Sequence, residues 1–379
     1  MSVFVPRVLD LIQATQRKSC FLFGPRQTGK STLIRHQLPR ARVYNLLDSS
    51  VFLELSRRPS TIREELEDQD ELVVIDEIQK LPQLLDEVHL LIEERGMRFL
   101  LTGSSARKLR RGGVNLLGGR ARSLTLHPFS CRELNNFDLM RALNFGLLPP
   151  VYLSDEPLLE LEDYAGSYLR EEIAAEGLTR NIPAFSRFLE VAALCNGTIL
   201  NYSKIASDAQ VARSTVQEYF TILQDTLVAH LLPAWRKTIK RKPLATSKFY
   251  LFDFGLVRHL RHQGIIHPRS PGFGEAFESY IFHELKTFRD HAGYPSLSYW
   301  RSTSGFEVDF ILDDAIALEV KGKEHISETD LKGLRALRQE GLLKRYCIVS
   351  LVSRPSIRDG IEILPWRTFV DKLWQGDLI

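Results

Sequence analysis

Over the first third of the chain, short apolar runs alternate with stretches whose apolar residues recur every three or four positions. The runs 19–23, 42–46, 72–75, 99–102 and 123–126 have the length of buried strands. Between them, 81–94 carries Leu81, Leu84, Leu85, Val88 and Ile92 at helical spacing and leaves Glu87, Glu93 and Glu94 for solvent. This alternation predicts a doubly wound parallel sheet with helices on its faces. From 128 to about 183 the pattern is helical and mixed in charge, with 158–172 its longest helical run, as expected of a small helical lid. The spans 184–195, 202–209 and 214–229 then read as three helices, the last two joined by the tight segment 210–213. That spacing predicts a helix-turn-helix of the winged-helix kind. A strand at 248–253, a Gly/Pro-rich link at 264–274 and a helix at 275–289 follow. Strands at 297–301, 306–312 and 315–321, a helix at 328–340 and a strand at 346–351 complete a second α/β unit. The expected division is a core at 1–127, a lid at 128–183, a winged-helix-like domain at 184–247 and a last domain at 248–379.

The turn after the first run reads Gly24, Pro25, Arg26, Gln27, Thr28, Gly29, Lys30, Ser31, followed by Thr32. This is G-x-x-x-x-G-K-S between a strand and a helix, a phosphate cradle in which backbone N–H groups surround the phosphates. Lys30 adds positive charge and Ser31 offers a hydroxyl to Mg²⁺. An ordinary glycine-rich strand-to-helix turn is the plainer alternative, and the helix beginning at Ser31 argues against it. The third run ends in Asp76-Glu77. An aspartate at the end of a buried strand can hold the Mg²⁺ water shell, and the glutamate beside it can activate the water that attacks the γ-phosphate. The next run ends in Thr102-Gly103-Ser104-Ser105, where Ser104 is the candidate to link phosphate and water to the sheet. Arg107, Arg110, Arg111 and Arg120 lie before the last strand. Of these Arg120 stands where it could reach a neighbouring subunit's nucleotide as an arginine finger. Among Arg170, Arg180 and Arg187 the sequence selects no lid sensor.

Gly24 to Ser31, Val74-Ile75-Asp76-Glu77-Ile78-Gln79-Lys80 and Leu101 to Arg107 together resemble the prokaryotic AAA+ family ATPases whose C-terminal domain of unknown function is related to restriction endonucleases. The resemblance implies the AAA+ sheet order with the P-loop strand in the middle. It also implies ATP rather than GTP and assembly into a homo-oligomeric ring or partial ring; Mg²⁺ as the second cofactor and hydrolysis of the ATP are what Ser31, Asp76 and Glu77 lead one to expect.

In the last third, Asp309 is followed ten residues on by Glu319-Val320-Lys321, a D-x(n)-E-x-K pattern similar to the PD-(D/E)xK nuclease site but without its proline. Asp309 and Glu319 can hold a divalent metal, Glu278 can complete the set, and Lys321 can stabilise a water. Register decides whether they meet. A two-residue turn at Asp313-Asp314 would set Asp309 opposite Leu318, on the wrong face, whereas a three-residue turn or a bulge would restore the site. His259-x-x-His262 lacks a third ligand and reads as solvated.

Composition narrows the rest. Fifty Lys plus Arg against 47 Asp plus Glu give +3, too little to argue for nucleic acid from net charge. The one basic concentration is Arg236-Lys237-Thr238-Ile239-Lys240-Arg241-Lys242, which could grip a phosphodiester backbone of DNA or form a solvated hairpin tip. Four scattered cysteines suggest neither disulfides nor zinc and fit a cytoplasmic protein, and no apolar run approaches the ~20 residues of a membrane span. The expected function is an ATPase coupled to a nuclease-like domain and acting on DNA. The rival expectation is an ATP-dependent scaffold that recruits a protein client while the nuclease-like domain is inactive.

Overall fold

The computed structural model describes residues 4–67, 70–105, 116–168, 181–293 and 296–378. Arg107, Arg110, Arg111, Arg170 and Arg180 lie outside the described residues. The chain divides into two compact units, Met1–Pro128 with Asp225–Leu227, and Phe129–Gln224 with Val228–Ile379.

In the first unit β1 (Ser19–Phe23), β2 (Arg42–Asn45), β3 (Leu72–Asp76), β4 (Arg98–Gly103) and β5 (Ala121–Thr125) form one parallel sheet in the order β2-β3-β4-β1-β5. All five strands lie where the apolar runs predict them, and β1 is inside the sheet, flanked by β4 and β5. Strand alternation sorts their side chains. Phe21, Phe23, Val73, Ile75, Phe99 and Leu101 pack with Leu84, Leu85, Val88 and Leu91 of the Leu84–Arg95 helix. Cys20, Leu22, Val74 and Leu100 pack with Leu33 and Ile34 of the Lys30–Gln37 helix, so the sheet is covered on both faces. The first of these helices starts three residues later than the apolar spacing predicts. Pro82 precedes it, and Leu81 belongs instead to the turn that follows the short 3₁₀ segment Ile78–Lys80.

The second unit opens with short helices. Of the run expected at 158–172, the described residues form a helix over Pro157–Asp163 and a single wide turn at Tyr164–Tyr168, and 169–172 lie outside the described residues. The helices Ile182–Leu194, Tyr202–Ala209 and Arg213–Asp225 share one core in which Phe185, Phe188, Tyr219 and Phe220 pack edge to face. The last of them is shorter than expected, because Ala229–Leu232 is a strand, β7. With β6 (Thr198–Ile199) and β8 (Lys248–Leu251) it makes a small antiparallel sheet in the order β6-β8-β7. The strand that reads from sequence as the opening of the last domain therefore pairs with the three-helix segment.

A mixed sheet of six strands follows, β9 (Leu297–Arg301), β10 (Glu307–Leu312), β11 (Ile316–Lys321), β12 (Arg345–Ser350), β13 (Ser356–Arg358) and β14 (Ile361–Pro365), in the order β13-β14-β12-β11-β10-β9. The hairpin β13–β14 and the closing helix Trp366–Gln375 are additions to the expected α/β unit.

The basic run 236–242 is not a free hairpin tip. Lys237 Nζ is 2.7 Å from Asp314, Arg241 is 3.6 Å from Glu340, and the Ile239 and Lys240 N–H groups donate to Glu340 at 3.0 and 2.9 Å. Pro243 bridges to Ser302 beside β9. Acids of the last domain thus face two of the five cations that, in sequence, stand unopposed.

Two fully buried acids hold the second unit's segments together. Asp253 caps the Phe254–Leu260 helix by accepting from the Leu256 N–H at 3.1 Å, and it also accepts from the Leu147 N–H at 2.7 Å. Glu284 accepts from the Cys131 N–H at 2.7 Å and from Trp374 Nε1 at 2.9 Å. Burial pushes Asp253 up to about 6 and Glu284 up to about 7, against the lowering pull of those hydrogen bonds. Since both folded values are raised, the native state holds protons that the unfolded chain has already released near pH 4–4.5, and stability falls as pH rises through 6–7. The urea midpoint of the second unit is expected to rise as pH falls from 8 to 6. Glu284→Gln should remove about 1.4 kcal/mol of that dependence, which is what one group near 7 contributes between pH 8 and pH 6. A wild-type midpoint that is flat over this range, or an unchanged slope in the variant, would contradict it.

Candidate functional site

The P-loop joins β1 to the Lys30–Gln37 helix, so its backbone N–H groups and the helix N-terminus face the same space. Gly29 sits at φ +94°, a conformation that side chains oppose, and a Cβ on Gly24 would lie 2.4 Å from the Leu126 carbonyl. Lys30 is buried, its ammonium donating to the Gly24 and Pro25 carbonyls at 2.7 and 3.1 Å. Arg7, which the sequence does not single out, donates to the Thr28 carbonyl at 2.7 Å and the His127 carbonyl at 2.6 Å, clamping the loop to the end of the sheet.

Because β4 runs parallel beside β1 and β3 parallel beside β4, their carboxyl ends deliver side chains to this loop. Ser31 Oγ donates to Asp76 Oδ2 at 3.0 Å, and Thr102 Oγ1 donates to Asp76 Oδ1. Thr102 Oγ1 in turn accepts from the Glu77 N–H at 3.1 Å. Glu77 has φ 63°, a left-handed conformation that is costly for a residue with a side chain and recurs at functional sites. Gln79 Nε2 donates to the Glu77 carboxylate and lies 3.2 Å from Ser104 Oγ, so one amide ties these two residues together. The sequence-derived residues Lys30, Ser31, Asp76, Glu77 and Ser104 are thus brought together. Thr102 and Gln79 are additions, and their signal was present as a hydroxyl at a strand end and an amide two residues past the acid pair. A hydroxyl and a carboxylate in hydrogen-bond contact at the loop form an all-oxygen donor set suited to Mg²⁺.

Arg120 is not part of this constellation. Ala121 pairs with Ser19 at the beginning of β1, so Arg120 stands at the end of the sheet remote from its own P-loop, where it pairs with Glu93.

The second constellation lies in the last sheet. Leu312 pairs with Ile316, so residues 313–315 form a three-residue turn with both aspartates left-handed, and continuing the ladder brings Asp309 level with Glu319. The pairing of β10 with β9 also shifts between Val308 and Ile311. Asp309 Oδ2 accepts from the Val320 N–H at 2.8 Å, and Lys321 Nζ is 2.6 Å from Glu319. Glu278, on the Phe273–Ala292 helix, accepts from the Tyr250 hydroxyl at 2.7 Å.

The residue missed at its centre is Lys248. Its buried ammonium lies 2.6 Å from Glu307, 3.6 Å from Glu278 and 3.8 Å from Asp309. Its only signal in the sequence is a lysine that opens an otherwise apolar strand. Burial works against its charge, but Glu278, Asp309 and Glu307 outweigh that and raise its affinity for a proton. Burial and the nearby Asp309 raise Glu278 to about 7 and hold Glu319 well above the usual carboxylate range, Lys248 and Lys321 respectively opposing the shifts. Glu319 Oε2 is buried without a hydrogen-bond partner, an oxygen that a cation could use. Among the described residues, however, no group of three or more His, Cys, Asp or Glu side chains is disposed to hold a metal ion. As arranged, Glu278, Asp309 and Glu319 fit the internal ammonium of Lys248 better than a metal. His259 and His262 line a separate hollow with Glu162 and Glu190. No helix among the described residues is long and apolar enough to cross a membrane.

Residues 16–135 match the family model of the AAA domain, which covers the P-loop, Asp76, Glu77 and Ser104. Residues 136–265 and 273–369 match two domains of unknown function, DUF8612 and DUF4143. No curated protein matches the chain. Among solved structures it is similar to the Walker-type ATPase PABY2304 of Pyrococcus abyssi, at 14% identity and a TM-score of 0.44 over 66% of this chain and 93% of that one. It is also similar to the Orc1 protein of Aeropyrum pernix in complex with DNA, at 15% identity and a TM-score of 0.30 over 70% and 94%. Domain III of the Thermotoga maritima replication initiation protein DnaA gives 15% identity and a TM-score of 0.23 over 56% and 85%. On the family match alone, residues 16–135 are an ATPase-like P-loop domain of the AAA type.

Proposed function

We propose that the chain binds ATP with Mg²⁺ and hydrolyses it, and that the second unit uses this turnover in work on nucleic acid. The observation that carries the reading is the hydrogen-bonded series Ser31–Asp76–Thr102–Glu77, which links the loop that would hold the phosphates to the group that would activate water. Lys30 and the loop amides hold the β- and γ-phosphates, while Ser31 and Asp76 are the groups that would hold the ion. The ion supplies charge neutralisation on the phosphate oxygens. Glu77 takes the proton of a water whose oxygen forms a bond to the γ-phosphorus as the bridging β–γ oxygen bond breaks and ADP leaves. Ser104, tied to Glu77 through Gln79, orients that water. Arg120 acts on the nucleotide of a neighbouring copy in a homo-oligomer, since its own P-loop is at the other end of β1.

In the second unit, the sequence of helix, short strand, two helices and two further strands supports a winged helix, and the six-stranded sheet with its carboxylates supports a nuclease-like fold. A second reading has one observation in its favour. Lys248 already neutralises the carboxylates on which cleavage would depend, which favours an inactive nuclease-like domain serving as a scaffold for a nucleic-acid or protein client.

Phosphate release by the full chain at saturating ATP is the direct test. Mg²⁺-dependent turnover that is lost in Lys30→Ala is expected. Absence of turnover in the wild-type chain, with and without nucleic acid, would overturn the ATPase reading.

A further inference from the structure

A groove of ≈ 630 Å³ opens in the second unit between the start of the Arg213–Asp225 helix, the start of the Tyr202–Ala209 helix, the segment before β8, and β9. Its lining includes Asn201, Tyr202, Arg213, Gln217, Thr246 and Arg301, and its only charged members are the two arginines. Arg213 and Gln217 are exposed and four residues apart, so they share one face of their helix. Arg301 belongs to a different element and is brought to the same groove because the Leu244 N–H donates to its carbonyl at 2.8 Å, tying the segment before β8 to β9. Two cations of the basic run, Lys237 and Arg241, face acids; none of the groove's named lining residues is acidic, and Arg301 keeps a 3.3 Å contact to Glu307 outside that lining.

We infer that this groove binds a single strand of nucleic acid. Two guanidinium forks from separate elements suit successive phosphates, which a rigid planar donor recognises better than a flexible ammonium. The Gln217 amide offers a donor and an acceptor to base edges. Asn201, whose oxygen caps the Tyr202–Ala209 helix, offers its amide nitrogen as a donor, and the Tyr202 ring and Leu244 offer surface for a base face. The amides and the ring address base edges and base faces, which a single strand exposes and a duplex stacks away. The groove also leads somewhere. Arg301 Nη1 is 3.3 Å from Glu307, whose other oxygen is 2.6 Å from Lys248 Nζ, so a strand lying along the groove passes the edge of the carboxylate cluster. The exposed face of the Arg213–Asp225 helix, poor in cations by itself, gains from β9 the second positive charge that it lacks in sequence.

This inference rests on the reading that the second unit works on nucleic acid, and ATP turnover measured without nucleic acid separates the two. The experiment is fluorescence anisotropy of a labelled 20-nucleotide single strand of mixed sequence with the full chain, without nucleotide, over a range of salt. Wild-type binding is expected to weaken at least about tenfold in the double variant Arg213→Gln/Arg301→Gln. Its log–log salt slope should shrink by roughly 1.4, at ~0.7 for each phosphate no longer neutralised. Lys344→Gln, an exposed lysine at the opposite end of β12, should bind as wild type. A urea midpoint of the second unit that matches wild type shows that the double variant has folded, since ATP turnover would report on the first unit. Four results would overturn the inference: no binding by the wild type at low salt, undiminished binding by the double variant, tighter binding of the corresponding duplex, or displacement by polyglutamate as readily as by unlabelled strand. The last would point to an acidic protein segment.

Discussion

Replacing Glu77 by Gln is expected to lower ATP turnover by a factor on the order of 10²–10³ while leaving nucleotide affinity within about twofold of wild type. The amide keeps the size of the carboxylate but cannot take the proton of the attacking water. The groups that would hold the nucleotide come from Gly24 to Ser31 and Asp76, none of which the substitution touches. Gln79 Nε2 donates to the Glu77 carboxylate, and the Glu77 N–H donates to Thr102 Oγ1, so the backbone of the variant is expected to keep its left-handed conformation. Single-turnover and steady-state phosphate release, paired with a binding titration of a fluorescent ATP analogue, separate the two effects. Loss of binding together with turnover would mean that Glu77 positions the nucleotide. Unchanged turnover would remove it as the base and leave the scaffold reading in possession of the field.

Lys248→Met is expected to destabilise the second unit by about 3–5 kcal/mol at pH 8, because one cation is removed from a buried set of opposite charges. Glu278, Glu307 and Asp309 would then face one another with only Lys321, paired with Glu319, and Arg301, paired with Glu307, nearby. The pH dependence has a definite sign. Lys248 holds its proton more tightly in the fold than in the unfolded chain, so its contribution is fully present below its ordinary value of 10.5 and is lost only as pH rises through the higher folded value. In the variant the carboxylates have lost their partner, and protonation relieves them. The deficit should therefore be largest at pH 8 and shrink toward pH 5. Urea unfolding of both chains at the two pH values, in EDTA, reads this directly. A variant as stable as wild type, and further stabilised by Mn²⁺, would instead indicate that the cluster is a cation site from which the lysine is readily displaced.

The two constellations were legible to different degrees, for a physical reason. At the P-loop, the phosphate cradle is local. Gly24, Gly29, Lys30 and Ser31 are set by one turn, and Asp76 and Thr102 end strands that a parallel sheet must align with it, so the spacing of the apolar runs suffices to place them. Gln79 and Arg7 were harder to see, since an amide and an arginine on the surface of a sequence announce nothing until their acceptors are placed. At the C-terminal cluster, the strand pattern gave Asp309, Glu319 and Lys321 without their register, and the choice between a two- and a three-residue turn changes which face Asp309 meets. Lys248 was invisible as a member because its strand pairs with β6 and β7, while its side chain reaches carboxylates on a helix and a strand distant in sequence.

What the sequence by itself determined is the ATPase-like core: a period-two and helical alternation that can bury both faces of a parallel sheet, and a loop whose residue types have few other uses together. What only the tertiary structure decided is where charge is compensated. The basic run 236–242 reads as a free cationic grip until Asp314 and Glu340 are folded against it, and the acids around Asp309 read as a metal site until Lys248 is placed among them. Apolar periodicity is a property of neighbouring residues along the chain, whereas the energy of a charge depends on every group within a few ångströms and on the water that burial removes.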